Sequence, residues 1–345
     1  MNWAIWKRRT KQAATVLIAI TAVTATGSSL LWRDRSTLDS TGWQAPPDPA
    51  ENNASVTVTW LGVTTLLFDD GESQILIDGF FSRPTLWDSI LGRAVVNDAA
   101  TINYALHEFG IRRLAAIIPV HSHFDHAMDI GAIARRTSAS VLGSESTANI
   151  ARGAGVPEDQ IIVAADGQTY EFGEFKIRLL RSRHAPIGWG GDTPLPGTID
   201  EPLSLPQPID AFREGASYSI VIEHTQGTTL VQGSAGFVEG ALEPLSADVV
   251  MLSVGGLTTL DSEYAEIYWQ ETVTNTGALT VYPIHFDDFT KPFGTVIPSP
   301  KFLGNLEKTA RWFDAFRDKW DQGTQILLPE FGKPIPLYAP PSSST

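Results

Sequence analysis

At 345 residues and 37.5 kDa, with 43% hydrophobic and 19% charged residues, the chain has the composition of a folded globular protein with ample core. A formal net charge of -14 and a pI near 4.9 leave a nucleic-acid-binding role without electrostatic support. The absence of cysteine excludes a thiolate nucleophile, a cysteine-ligated zinc site and a disulfide framework, so any metal must be held by imidazole and carboxylate.

The chain opens on a cationic "WKRRTK", followed by an uncharged stretch to Trp32 whose most apolar part runs from Ala13 to Ala25. A cationic start, a short apolar run and small residues ending at Ala25 read as a secretory signal peptide. Left uncleaved, the stretch to Trp32 would serve as a membrane anchor. Residues 1–32 are therefore expected to direct export, leaving the protein periplasmic or membrane-anchored. Residues 33–55 are polar, proline-bearing and aperiodic, which predicts a flexible linker. One domain is expected over 56–337, and residues 338–345 are expected as a disordered tail.

Within that domain, "VTVTWLGVTTLLFDDGESQILIDGFF" alternates β-branched runs around "DDGE", which predicts a hairpin. Mixed helical spacing follows up to Gly110. "RRLAAIIPV" is then a short apolar strand that feeds directly into "HSHFDH". Helix, strand and helix follow over "DIGAIARRTSA", "SVLGSE" and "STANIARGAGV". Three short strands then end at His184, two of them around "EFGEF". A long proline- and glycine-rich insertion runs from Ala185 to Gly215. A hairpin turning at "TQGT", a buried strand "ADVVMLSVGG", a helix, the strand "ALTVYPIHF" and a last helix, "NLEKTARWFDAFRDKW", complete the order. Hairpins first and then strands alternating with helices, twice over, suggest an α/β fold of two face-to-face sheets with helices outside.

Seven histidines are present, and five fall at or just after predicted strand ends: His121, His123, His126, His184 and His285. Strand ends are where side chains converge without being buried in a sheet. His121 and His123, two apart on an extended chain, face one side. With a third imidazole from a distant strand end they make a three-ligand site with an open position, the catalytic arrangement for zinc. Asp125, His126 and His285 can supply a second such site. His107, in a helix, and His224, beside a turn, read as ordinary surface or core histidines.

"HSHFDH", together with "WLGVTTLLFDDGESQILIDGFF", resembles the metallo-β-lactamase superfamily of hydrolases, and within it the branch of N-acylphosphatidylethanolamine phospholipase D and ascorbate-6-phosphate lactonase relatives. The resemblance runs from about Val56 to "YPIHFDDF". It implies a four-layer αββα sandwich with a binuclear site at one sheet edge. It places His121, His123 and His184 on one metal, and Asp125, His126 and His285 on a second. It also makes Asp78 of "ILIDG" a support for the motif loop behind the ligands.

One residue departs from that pattern. Where the family carries a bridging aspartate after a glycine, this chain reads "TTLVQGSAGF", with Ser234 in the aspartate's place. A neutral hydroxyl is a poorer ligand than a carboxylate, so one ion or two could bind, zinc foremost and manganese or iron as alternatives. Asp287 and Asp288, which follow His285, could compensate but read as an ordinary solvated acidic turn. Ser234 itself lacks the first glycine of the G-x-S-x-G elbow, Gln232 standing there. It is expected to hydrogen-bond a metal-bound water or to close a turn. The function expected is hydrolysis, by a hydroxide generated on the metal and with Asp125 as a ligand or proton acceptor, of an ester, lactone or phosphodiester. A small-molecule or lipid-like substrate is expected, with Trp189 of the long insertion and the "FF" and Trp87 after Asp78 as apolar walls or a lid. Two other readings stand beside it: a binding protein that keeps the fold without turnover, and a serine hydrolase using Ser234.

Overall fold

The structure is a computed structural model and describes residues 30–47, 56–320 and 323–338. The expected signal or anchor thus lies almost wholly outside the described residues, as does the tail beyond Tyr338. No helix among the described residues is long and apolar enough to cross a membrane.

The first strands form an antiparallel meander, Thr57–Trp60, Leu66–Asp69 and Gln74–Ile77, with Leu66 opposite Ile77. Its tight turn is set by side chains that mimic backbone. The Asp70 carboxylate accepts the Glu72 and Ser73 amides at 2.8 and 2.6 Å, and Gly71 takes φ +91°. Parallel strands Leu114–Ile118, Ser140–Gly143 and Ile161–Val163 extend this sheet. Pro334–Pro336 closes the other side, giving seven strands.

A second seven-stranded sheet runs from Gln325–Ile326 through Thr280–Ile284, Val249–Ser253, Gly227–Gln232, Tyr218–His224 and Phe175–Arg181 to Thr169–Phe172. Period-two alternation explains how the sheets pack. Ile75 and Ile77 face a core shared with Ile177, Leu179, Ile220, Val231, Val250 and Leu252 of the second sheet. Leu76 and Ile117 face the other way, onto Ile102, Ile130, Ile133 and Ile150 of the covering helices. Both faces of each central strand are apolar because both are covered.

Those helices, Ala99–Glu108, Ile130–Thr137 and Glu145–Gly153, start at side-chain caps or at helical spacing of apolar residues. Asp98 accepts the Ala100 and Thr101 amides, and Ser144 accepts that of Thr147. On the far side, Ser262–Trp269 and Leu306–Trp320 bury Tyr268, Trp269, Phe313 and Phe316. The architecture is the αββα sandwich, with sheets inside and helices outside.

Two stretches differ from expectation. Residues 34–47 are not a loose linker: they pack across the sandwich. Arg35 bonds the Asp288 carboxylate and the Pro298 carbonyl, both at 2.7 Å. Trp43 stacks on Phe313 with centroids 6.2 Å apart. These side-chain contacts, with single backbone bridges at Arg35 and Gln44, have no period, so an aperiodic sequence hides them. Tyr338, placed at the start of the tail, is likewise held: its hydroxyl lies 2.6 Å from Thr229 Oγ1.

Candidate metal centre

The carboxyl ends of strands from both sheets deliver the histidines to one edge. Leu114–Ile118 leads to His121 and His123, Phe175–Arg181 to His184, and Thr280–Ile284 to His285. The short helix Phe124–Ala127 turns Asp125 and His126 back toward them. Two groups result, His121 with His123 and His184, and Asp125 with His126 and His285. Within each, one donor atom per residue lies within 4.8 Å of the others. The groups adjoin, with the His121 and His126 rings 4.1 Å apart.

Whether a cation suits these residues can be judged from their tautomers. His184 Nδ1 is 2.8 Å from the Ala185 carbonyl oxygen, which can only accept, so it carries the proton and leaves the Nε2 lone pair free. His126 Nδ1 donates to Asp78 Oδ2 at 2.7 Å, with the same result. His121 Nε2 and His123 Nδ1 approach to 2.9 Å. Lone-pair donors converging in threes, with a carboxylate in the second group, fit divalent cations.

The charge states agree. Burial, reinforced by the neighbouring imidazoles, pushes His121 well below its usual range. Burial and nearby imidazoles likewise lower His123 and His184, each to about 4. These three are therefore neutral donors at pH 7. Burial would raise Asp125, but His126 and His285, each 3.5 Å from its Oδ2, outweigh it and hold the carboxyl far below the usual range. Burial would lower His126, but Asp125 and Asp78 prevail and raise it.

Asp78 is wholly buried at φ +60°, and its other oxygen accepts the Val120 amide at 2.9 Å. One carboxylate thus ties the end of its own strand to both the motif strand and His126. Ser234 sits in the cavity wall, but its Oγ accepts the Ala185 amide at 2.9 Å. It braces the loop carrying His184 rather than closing a simple turn, and its partner is an amide, not an imidazole that could activate it. Asp287 and Asp288 are not a solvated turn: both are buried. Asp287 Oδ1 accepts the Val63 amide, and Asp288 is taken by Arg35 and Thr290. Neither belongs to a candidate ligand group.

The donor groups open into a cavity of about 270 Å³ walled by Phe124, Ile187, Pro194, Leu195, Phe289 and Leu303. The long insertion contributes three of these, but not Trp189, which is 99% exposed and covers nothing. Leu203 and Leu205 pack outward, against the helix side of the first sheet. Phe80 and Phe81 are fully buried in that packing, and Trp87 is exposed, so none of the three lines the cavity.

Other contributors escaped the sequence reading. Asp129, the last residue of "PVHSHFDHAMD", accepts the amides of Phe81 and Ser82, the Ser82 hydroxyl and the Asn97 side chain. It locks the loop after Asp78 to the histidine motif. Arg83, with only 5% of its side chain exposed, lies 3.8 Å from Asp287 and 4.6 Å over the Phe80 ring. Nothing local marks Arg83. Asp129 stands three residues after His126, but nothing in its type or spacing distinguishes it from the first residue of the helix that follows.

Comparison with known proteins agrees with this geometry. Residues 58–204 match the family described as the metallo-β-lactamase superfamily. A UPF0173 metal-dependent hydrolase of Myxococcus xanthus is 28% identical over 202 residues, 57% of this chain and 64% of that protein. The chain thus spans just under two thirds of that relative. Another, from Methylobacterium nodulans, is 24% identical over 283 residues, 81% of this chain and 99% of its own. Among solved structures, an isothiocyanate hydrolase from Delia radicum gut bacteria shares the fold with a TM-score of 0.50 and 17% identity, covering 81% of this chain and 98% of its own. These matches are to the superfamily over residues 58–204 and to metal-dependent hydrolases, and do not confirm the finer branch the sequence suggested.

Proposed function

We propose that the chain, which matches the metallo-β-lactamase superfamily over residues 58–204 and resembles metal-dependent hydrolases, is a metal-dependent hydrolase of that superfamily that cleaves an ester, lactone or phosphodiester of an apolar substrate at the histidine edge. The observation that carries this reading is the pair of three-donor groups at the floor of one apolar-walled cavity.

His121, His123 and His184 would hold the first divalent ion; Asp125, His126 and His285 would hold a second. Zinc suits imidazole-rich donor sets best, with manganese or iron as alternatives. A bound ion there supplies Lewis acidity, lowering the pKa of water and polarising the substrate oxygen. The protein's own part is orientation. Asp78 fixes the His126 ring, the Ala185 carbonyl fixes that of His184, and Ser234 holds the Ala185 amide beside it. Asp125 stays ionised, so it can ligate the second ion or orient a water by accepting its hydrogen bond. Phe124, Ile187, Leu195, Phe289 and Leu303 exclude water and accept an acyl or similar chain. The N-terminal sequence supports export, with membrane attachment if the apolar segment is retained.

Metal analysis of the purified protein tests the reading. At least one divalent ion per chain is expected, with occupancy and hydrolysis of an ester, lactone and phosphodiester panel both lost in His121→Ala and His123→Ala. Absence of stoichiometric metal would sink it. Metal without any turnover would favour a binding protein on the same fold. Activity that survives chelation and vanishes in Ser234→Ala would point to serine chemistry instead.

A further inference from the structure

The exposed apolar side chains are unevenly placed. Among the described residues, seven of the fifteen large ones lie at 30–31, 187–189 and 297–303, stretches that line the cavity or join the chain beside it. That concentration marks a face rather than the usual scatter of single exposed hydrophobics.

Its centre is the cavity mouth. Ile187 and Leu303 line the cavity yet are 37% and 43% exposed. Phe302 beside Leu303 is also 43% exposed, and Trp189, on a turn of Gly188, Gly190 and Gly191, is 99% exposed. A tryptophan left wholly in water has no stabilising role in the fold. An indole suits the boundary between lipid and water.

The chain itself indicates what covers this face. Trp32 meets Phe302 edge-on at 5.1 Å, and the Lys301 amide donates to the Asp34 carbonyl at 2.8 Å. The N-terminal segment therefore joins the fold along the lip of the cavity. Leu30 and Leu31, 63% and 59% exposed, lie with Trp32 at the end of the stretch from Gln12 that carries no charge, and Lys7, Arg8, Arg9 and Lys11 precede it. An uncharged run bounded by cations suits a bilayer, and it terminates on the exposed apolar rim.

We propose that the mouth of the cavity is a membrane-docking face: Trp189, Ile187, Phe302 and Leu303 seat in the lipid interface where the N-terminal segment holds them. This rests on the hydrolase reading for the cavity's purpose and deepens it, since an apolar substrate then enters from the lipid phase without crossing water.

The absence of cysteine makes the test direct, because a single introduced cysteine is the only labelling site. The full chain carrying Trp189→Cys, Phe302→Cys or Leu279→Cys is coupled to an environment-sensitive fluorophore and reconstituted into phosphatidylcholine–phosphatidylethanolamine vesicles. Leu279 is the control: it is 60% exposed and precedes the strand whose opposite end carries His285. The proposal expects blue-shifted emission and several-fold weaker iodide quenching at 189 and 302 with vesicles, and no change at 279. Probes at 189 and 302 that stay as quenchable as the control overturn it, even when the chain co-floats with vesicles through its N-terminus. Shielding that appears without lipid and grows with protein concentration also overturns it, in favour of a second copy of the chain. Metal content and turnover are measured on the same preparations. A protein that holds metal and hydrolyses its panel while both probes remain in water defeats the docking face alone.

Discussion

His126 is held at both ends: its Nδ1–H by Asp78, and its Nε2 facing Asp125 at 3.5 Å. The Asp78 side chain uses one oxygen for His126 and the other for the Val120 amide. Asp78→Asn keeps the size and tolerates the left-handed backbone, but leaves one carbonyl oxygen for two donors. One of the two, the ring or the amide, must then face an NH2 group. Metal affinity is expected to fall by about 10- to 100-fold, the usual consequence of losing such a supporting hydrogen bond; competition with a chelator measures it. Ser234 calls for the reverse test. Ser234→Asp restores a carboxylate at the cavity wall but gives up the hydroxyl that accepts the Ala185 amide, a role a carboxylate oxygen can also fill. If the second site is weak for want of negative charge, metal content per chain should rise; an unchanged stoichiometry would show that charge at this position is not what limits it.

At the scale of elements, the turn between the first two strands acts as a clamp on His285. Val63 and His285 both adopt left-handed backbone, at φ +50° and +60°. For a β-branched residue that costs roughly 1–2 kcal/mol, and it persists because two hydrogen bonds require it. The His285 amide donates to the Val63 carbonyl at 2.9 Å, and the Val63 amide donates to Asp287 Oδ1 at 2.8 Å. Asp287 also faces the buried Arg83. Asp287→Ala removes the acceptor and leaves that guanidinium without its nearest counter-charge, so a loss of about 3 kcal/mol is expected in denaturant unfolding. Metal should be lost from the His285 group before the other. Asp287→Asn keeps the acceptor and should retain more metal than Asp287→Ala; equal loss in both would mean that charge, not the clamp, matters. The strands around this turn were legible because alternation and "DDGE" are local signals. The clamp was not: its partners are more than two hundred residues apart, and nothing in "LGVTT" announces a left-handed valine. The same contrast separates the histidines, marked by type and spacing, from Arg83 and the packed 34–47 segment. Their contacts are single and distant. Trp189 illustrates a further limit: the insertion was readable as site-forming, but not which of its apolar residues would turn inward.

For the whole molecule, the two donor groups hold their protons differently, and that difference can be read in metal release. Burial keeps His121 well below its ordinary value of 6.5 and His123 and His184 at about 4, so in the metal-free protein these rings are already neutral at pH 5. Protons compete with a metal there only near pH 4. His126 is raised above 6.5 by Asp125 and Asp78, so protons compete for the second group at higher pH than for the first. Lowering the pH from 8 should therefore empty the Asp125–His126–His285 group first, while the His121–His123–His184 group keeps its ion to about pH 5. The sign for folding follows from the same values. Groups depressed below 6.5 bind fewer protons folded than unfolded, so between about 6.5 and 4 the chelated protein loses stability as pH falls. His126 works the other way, its contribution present below 6.5 and lost as pH rises through its raised value, but it is one group against three. A bound ion prevents protonation of its ligands and adds roughly 2.7 kcal/mol at a hundredfold excess over Kd, so the thermal gap between loaded and chelated protein should persist as far as the first group retains metal. Cobalt-loaded protein, titrated from pH 8 to 4 and followed by absorbance together with metal content after desalting, distinguishes the outcomes. Two steps, or a single step near pH 4 to 5 if only one ion binds, are expected. A single release centred above 6.5 would show that the three buried imidazoles are not the tighter site.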